Sequence, residues 1–139
     1  MKIIIHGRKI SKGVGEGPAL VSRSAISFLG GVDPKSGLMI EKGHELEGMN
    51  VKGKVLVFPH GKGSTAGPWI LYAMAENGTA PCAIINIHTE PIVAVGTIVS
   101  GIPLVDKPDE NLFESIHTGD WVKVNADEGI IEIDRNNSI

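Results

Sequence analysis

The chain has 139 residues, enough for one domain with its own hydrophobic core, and we expect a single domain over residues 1–139. Its formal net charge is −3 and its few aromatic residues are not interleaved with basic ones, which argues against nucleic-acid binding. The one cysteine, Cys82, cannot form an internal disulfide, nor can it alone hold zinc or an iron–sulfur cluster. The apolar run at residues 3–5 is too short for a signal sequence or a membrane span, which favours a cytoplasmic protein.

Short β-branched runs between turn residues predict a domain rich in strands. The last two runs flank Ala126-Asp127-Glu128-Gly129, which predicts a hairpin, and the tail from residue 135 to 139 is expected to fray. The predicted strands cover residues 3–5, 17–21, 54–58, 82–87, 97–99, 104–105, 120–125 and 130–133.

Two helices are predicted. The first runs from Pro68 to Asn77, because proline suits the first helical turn and Gly78 suits the position just after the last. The second is a short helix within residues 110–116. Strands that outnumber helices, with one strand–helix–strand unit in the middle, indicate an α/β or α+β domain with a barrel-like sheet.

A glycine-rich stretch joins strand 54–58 to the first helix. Its glycines let the backbone approach a ligand, Lys62 adds a positive charge, and Ser64 or Thr65 suits the helix N-cap. Because a helix N-terminus favours anions, the stretch predicts an anion site. The glycine spacing matches neither a P-loop nor a dinucleotide-binding turn, so an ordinary capped strand-to-helix turn stays open as the alternative.

A second glycine turn lies in residues 27–34, where Gly30 and Gly31 follow an apolar segment. Phe28 and Leu29 beside these glycines suggest an apolar lip on a polar loop. The alternative is that both glycines serve backbone geometry alone.

Histidine and glutamate occur together at His44-Glu45 and at residues 88–90. Neither pair has the helical i, i+4 spacing or the matched second pair of a metal site, so we predict no metal site on this chain. His88 and Glu90 follow a predicted strand and are expected near Ser64, at one end of the sheet.

Four segments occur in one order along nearly the whole chain: SFLGGVDPKSG at 27–37, HELEG at 44–48, GKVLVFPHGKGST at 53–65 and GTAP at 78–81. Each segment is short, but the combination is specific. It resembles the small subunit of the aconitase X family. The resemblance implies an α/β fold of the swivelling β/β/α type, which acts as the lid of a separate large subunit carrying a 4Fe–4S cluster.

The implied reaction is the dehydration of (R)-5-phosphomevalonate to trans-anhydromevalonate 5-phosphate, in an archaeal-type mevalonate pathway to isoprenoids. The cluster iron would act as Lewis acid on the leaving hydroxyl, and the partner would bring its cysteines. By the same resemblance, Ser64 matches the base that removes the proton beside a carboxylate. The residues expected around the substrate are Lys62, Gly63, Thr65, Ser27, Gly30 and Gly31.

Three alternatives stay open. In the first, the chain belongs to the same family but its enzyme dehydrates cis-3-hydroxy-L-proline. The second is a phosphotransfer swivel domain that carries a phosphohistidine. In such a domain a histidine directly follows the Thr-Ser pair of the turn, whereas here Thr65-Ala66-Gly67 follows Ser64. The third alternative is an anion-binding module without catalysis. A neighbouring gene for a much larger, cysteine-containing chain would favour either dehydratase.

Overall fold

The computed structural model describes residues 2–135, which form eight strands, four helices and a 3-10 helix. The strands are β1 (Lys2–His6), β2 (Arg8–Ser11), β3 (Val14–Val21), β4 (Val55–Phe58), β5 (Ala83–Asn86), β6 (Leu104–Asp106), β7 (Trp121–Asn125) and β8 (Ile130–Asp134). The helices are α1 (Phe28–Gly31), α2 (Gly67–Asn77), α3 (Pro91–Ser100) and α4 (Leu112–Ser115), and the 3-10 helix is Ala126–Glu128.

All eight strands belong to one sheet in the order β1-β8-β7-β3-β4-β5-β6-β2. Strands β3 to β6 are parallel neighbours, and the remaining pairs are antiparallel. The two edge strands, β1 and β2, are separated in the chain only by Gly7, whose amide donates to the carbonyl of Gly129 at 2.9 Å. The sheet therefore curls back on itself, as the predicted barrel-like sheet requires.

Strand β4 shows how the layers are stacked. Successive side chains of a strand point to opposite faces, and all four residues of β4 are fully buried. Val55 and Val57 pack with the apolar residues of β7 and β8, whereas Leu56 and Phe58 pack with residues of α2 and α3. This alternation gives three layers: antiparallel strands, parallel strands and helices. The β/β/α fold implied by the resemblance is confirmed.

Seven of the eight predicted strands, the hairpin and both helices are present, with boundaries that differ by a few residues. The strand predicted at 97–99 is wrong, because these residues lie in α3. Glu90 caps the start of α3, Pro91 occupies its first turn and Gly101 ends it in a left-handed conformation, so local capping overrides the strand preference of β-branched residues. Strand β2 was not predicted, since only Ile10 within it is apolar.

Helix α3 is the most apolar of the long helices, but it has only ten residues. Across residues 2–135, no helix combines the length and the apolar character needed to cross a membrane. At the C-terminal end, Arg135 pairs with Asp120 at 2.9 Å. The rest of the predicted frayed tail lies outside the described residues.

Candidate functional site

Three loops meet at the carboxyl ends of the parallel strands β3, β4 and β5. The segment after β3 runs beside the segment after β4, because Ile26 pairs with Gly61 and the Lys62 amide donates to the Ile26 carbonyl at 3.0 Å. The segment after β5 joins them, because the His88 amide donates to the Pro59 carbonyl at 3.2 Å. The fold thus gathers the three loops at one end of the sheet.

The turn between β4 and α2, residues 59–66, is called the β4–α2 turn below. Gly63 has a φ of +92°, and a Cβ atom at this position would lie 2.4 Å from Oγ of Ser27. Glycine is therefore required both for the backbone conformation and for the close approach to the facing loop. The structure brings Ser27 and Gly63 together, although they are far apart in sequence.

A cleft of about 380 Å³ lies between the β4–α2 turn and the α1 region. It contains five of the residues expected around the substrate, together with Leu29 of the predicted lip and Glu41. Its lining residues are Ser27, Leu29, Gly30, Gly31, Glu41, Lys62 and Gly63. Of the predicted apolar lip, only Leu29 faces the cleft, because Phe28 is buried and packs edge-on against Phe58 at 6.0 Å between ring centroids.

Glu41 is the residue of the cleft that the sequence analysis missed. Its Oε2 atom lies 3.1 Å from Nζ of Lys62, while its Oε1 atom is buried without a hydrogen-bond partner. The Lys62 side chain is 47% exposed, and ion pairs this close to solvent contribute only about 0–1 kcal/mol. Glu41 therefore holds Lys62 over the cleft weakly enough for an incoming anion to compete.

Ser64 is exposed in the β4–α2 turn. Its Oγ atom accepts a hydrogen bond from the Ala66 amide at 3.0 Å, and its carbonyl accepts one from the Gly67 amide at 3.0 Å. Helix α2 begins at Gly67 with Ala66 as its N-cap and without a side-chain cap, so the expectation that Ser64 or Thr65 is the N-cap residue is wrong. The reason is local: the Ser64 hydroxyl closes a separate turn before the helix begins.

Thr65 does not line the same cleft as Ser27 and Lys62. It lines a separate cavity that is mostly apolar. That cavity is lined by Thr65, Pro68, Trp69, Tyr72, Val95 and Val99.

Glu90 lies against the β4–α2 turn, as expected for a residue at the end of β5. A Cβ atom at Gly61 would be 2.5 Å from its Oε1 atom. Its carboxylate accepts from the amides of Ile92 at 2.9 Å and Val93 at 3.0 Å, which occupies the N-terminus of α3. Glu90 is therefore a helix cap in this fold, whereas His88 is exposed beside it.

His44 is buried and has a structural role. Its Nδ1 accepts from the Leu46 amide at 3.0 Å, and its Nε2 lies 3.0 Å from the Ala25 carbonyl, so the two contacts fit a neutral ring with the proton on Nε2. Within residues 2–135, no three or more metal-ligating side chains converge. Burial raises the pKa of the Cys82 thiol.

Comparison with known proteins identifies the family to which the chain belongs. The family model of the aconitase X swivel domain matches residues 4–133. The chain is 57% identical to the phosphomevalonate dehydratase small subunit of Methanosarcina acetivorans, over 94% of this chain and 91% of that one. It is 59% identical to the protein of the same name from Methanocella arvoryzae, over 93% and 98% of the two chains. The crystal structure of Thermococcus kodakaraensis aconitase X in its holo-form superposes with a TM-score of 0.89 at 46% identity, over 94% and 98% of the chains. The chain therefore belongs to the aconitase X swivel-domain family.

Proposed function

We propose that this chain is the small subunit of a two-subunit hydro-lyase that dehydrates (R)-5-phosphomevalonate to trans-anhydromevalonate 5-phosphate. The names of the two relatives above support the substrate and the subunit role. The observation that carries the proposal is the exposed Ser64 hydroxyl, on a turn that precedes an uncapped helix and adjoins a cleft with a lysine. Membership of the aconitase X family favours dehydration over phosphotransfer.

Ser64 is the proposed base. A serine alkoxide in water is too costly to form, so the site must stabilise the negative charge on Oγ. The Ala66 amide already donates to Oγ at 3.0 Å, and the start of α2 adds the positive end of a helix dipole. Such oriented donors act most strongly where water is excluded, which requires a second protein surface over this exposed turn.

Lys62 is the proposed anchor for an anionic group of the substrate. An incoming carboxylate or phosphate competes with Glu41 for Nζ, and the glycine-lined wall of the cleft lets that group approach the backbone. Gly63, Ser27, Gly30 and Gly31 form this wall. Thr65 is proposed to contribute through its backbone, since its side chain lies in the other cavity.

The iron–sulfur cluster does not fit this chain. A 4Fe–4S cluster is held by several cysteine thiolates, and the sequence has a single cysteine, which is half-buried and has a raised pKa. We therefore propose that the large subunit carries the cluster, while this chain supplies the base, the anion anchor and the lid.

The test is anaerobic co-expression of this chain with the large subunit, followed by assays with (R)-5-phosphomevalonate and cis-3-hydroxy-L-proline side by side. Turnover of phosphomevalonate by the complex, and by neither chain alone, supports the proposal. If the complex turns over cis-3-hydroxy-L-proline but not phosphomevalonate, the substrate assignment is overturned. Dehydration of phosphomevalonate by the small chain alone overturns the division of labour between the subunits.

A further inference from the structure

The outer surface formed by helix α3 and the first half of helix α2 is apolar and exposed. We call Trp69, Tyr72, Val95, Ile98 and Val99 the α2–α3 face; Trp69 is 73% exposed and Val99 is 62% exposed. Helix α3 contains no charged residue, and a helix that is apolar on every side is normally buried. A contiguous apolar surface of this kind marks an interaction site.

The two helices form one continuous surface. Gly96 allows this, because a Cβ atom there would lie 2.5 Å from Cδ1 of Leu71, so α3 packs directly on α2. The apolar cavity that also contains Thr65 joins Trp69 and Tyr72 of α2 to Val95 and Val99 of α3. The face therefore extends to the residue directly after Ser64.

The opposite layer of the molecule has a different character. The antiparallel strands also expose an aromatic residue, Trp121, but it is surrounded by charged side chains. Its surface depression is lined by Lys2, Glu16, Trp121, Lys123, Glu132 and Asp134. The charged surface around Trp121 is readily hydrated. Of these two exposed surfaces, the apolar α2–α3 face is therefore the one that a partner is expected to cover.

We propose that the α2–α3 face docks onto an apolar surface of the large subunit, an inference that rests on the proposed function. The relatives are named as small subunits, which implies a second chain in the same enzyme. A chain seated on this face also covers Thr65 and approaches Ser64, so one contact buries the apolar surface and excludes water from the base.

The first test measures the affinity of the full-length small chain for the large subunit. Val95→Glu places a charge on the face, and Val14→Glu is the matched control, since Val95 is 50% exposed and Val14, on β3, is 52% exposed. We expect Val95→Glu to raise Kd more than about tenfold, and Val14→Glu to change it less than about threefold. Equal affinities for the two folded variants would overturn the proposal.

A second test needs no substitution. The chain has two tryptophans, Trp69 on the α2–α3 face and Trp121 on the charged layer, so 5-fluorotryptophan labelling gives two fluorine NMR signals. Addition of unlabelled large subunit should shift the Trp69 signal and leave the Trp121 signal in place. A Trp69 signal that is insensitive to the large subunit would overturn the proposal, as would one that shifts with the concentration of the small chain alone.

These outcomes are separable from those for the proposed function. Ser64→Ala should change the affinity for the large subunit less than about threefold, because it removes one hydroxyl at the edge of the contact and none of its apolar surface. A complex that assembles through the face but does not dehydrate phosphomevalonate leaves the docking surface intact and removes the substrate assignment. An active complex in which Val95→Glu binds with normal affinity removes the docking surface and leaves the substrate assignment intact.

Discussion

Helices α2 and α3 begin in opposite ways, although each follows a strand of the parallel layer. The N-terminus of α3 is closed by the carboxylate of Glu90, which accepts from two backbone amides. The N-terminus of α2 has no side-chain cap, and the exposed Ser64 precedes it. The carboxylate of Glu90 compensates the positive end of the α3 dipole, whereas the first amides of α2 bond only to the Ser64 hydroxyl and to backbone carbonyls. We call the α2 end open because no acidic side chain compensates its dipole. Under the proposed function, the same strand-to-helix layout serves stability at α3 and substrate binding at α2.

The largest effect expected of a backbone change is at the β4–α2 turn. Gly63→Ala forces a Cβ atom against Oγ of Ser27 and strains a φ of +92°, so it should displace the turn. We expect kcat/KM of the complex to fall on the order of a hundredfold, as misplacement of a catalytic group by about 1 Å does.

Gly119→Ala is the matched control for that change, because Gly119 has a φ of +98° and no heavy atom near the added Cβ. It should lose stability by about 1–2 kcal/mol from backbone strain and keep its activity. Equal losses of activity in both variants would show that the turn has no special role.

The next largest effect is expected when the lysine of the cleft is removed. Lys62→Met should raise the KM of the complex about tenfold, because an anionic substrate loses one charged hydrogen bond. The unfolding free energy should hardly change, since the exposed pair with Glu41 contributes little. Steady-state kinetics check this, with the exposed Lys52→Met as control. A KM unchanged in both variants would contradict the anchoring role.

For the capped N-terminus of α3, we predict a loss of stability without a loss of activity. Glu90→Ala removes the acceptor of the Ile92 and Val93 amides and should lower the unfolding free energy by about 1 kcal/mol. Urea unfolding measures this, and Glu76→Ala on the exposed side of α2 should stay within about 0.5 kcal/mol of the unsubstituted chain. Loss of kcat without loss of stability in Glu90→Ala would erase the distinction between the two helix ends.

The smallest effect is a pH dependence near the closed helix end. Asp106 is fully buried, and burial alone would raise its pKa. Two hydrogen bonds from Arg8 at 3.0 Å and one from the Thr89 amide at 2.8 Å outweigh burial and hold the pKa of Asp106 below its usual value. The resulting stability is complete above the unfolded pKa of about 3.9 and is lost as pH falls through the folded pKa.

Urea unfolding between pH 7 and pH 3 tests this sign. The unsubstituted chain should lose more stability below about pH 4 than Asp106→Asn does, with little difference in slope above about pH 5. The comparison between the two curves isolates Asp106, because Asp120 also has a lowered pKa and contributes to both. Parallel curves over the whole range would contradict the assignment.

Local patterns were sufficient for much of the fold. The hairpin of β7 and β8 alternates apolar and polar residues around a turn, and α2 carries its own stop signal at Gly78. Helix α3 was missed because Thr97 to Val99 are β-branched or apolar. The capping residues Glu90, Pro91 and Gly101 override their preference for strand, and the burial of Val93, Gly96 and Thr97 in the core, which is not a local signal, accompanies it.

The site was predictable only in part, for a similar reason. The glycine-rich turn is a contiguous motif, so Lys62, Gly63 and Ser64 could be named from it. Glu41 lies 21 positions from Lys62 and has no motif of its own, so only the folded chain brings the two together. Thr65 lines a cavity formed by residues of both α2 and α3, so its position depends on how the two helices pack, which no local pattern indicates.

The most direct test of the central claim is kcat of the assembled enzyme with Ser64→Ala, measured beside the unfolding free energy of the same chain. We predict that kcat falls about 10²- to 10⁴-fold, as expected on loss of a general base. The unfolding free energy should stay within about 0.5 kcal/mol, because Ser64 is exposed, and Ser24→Ala should change neither quantity. A kcat within about twofold of the unsubstituted enzyme would contradict the role of Ser64 and, with it, the view of the open helix end as the catalytic one.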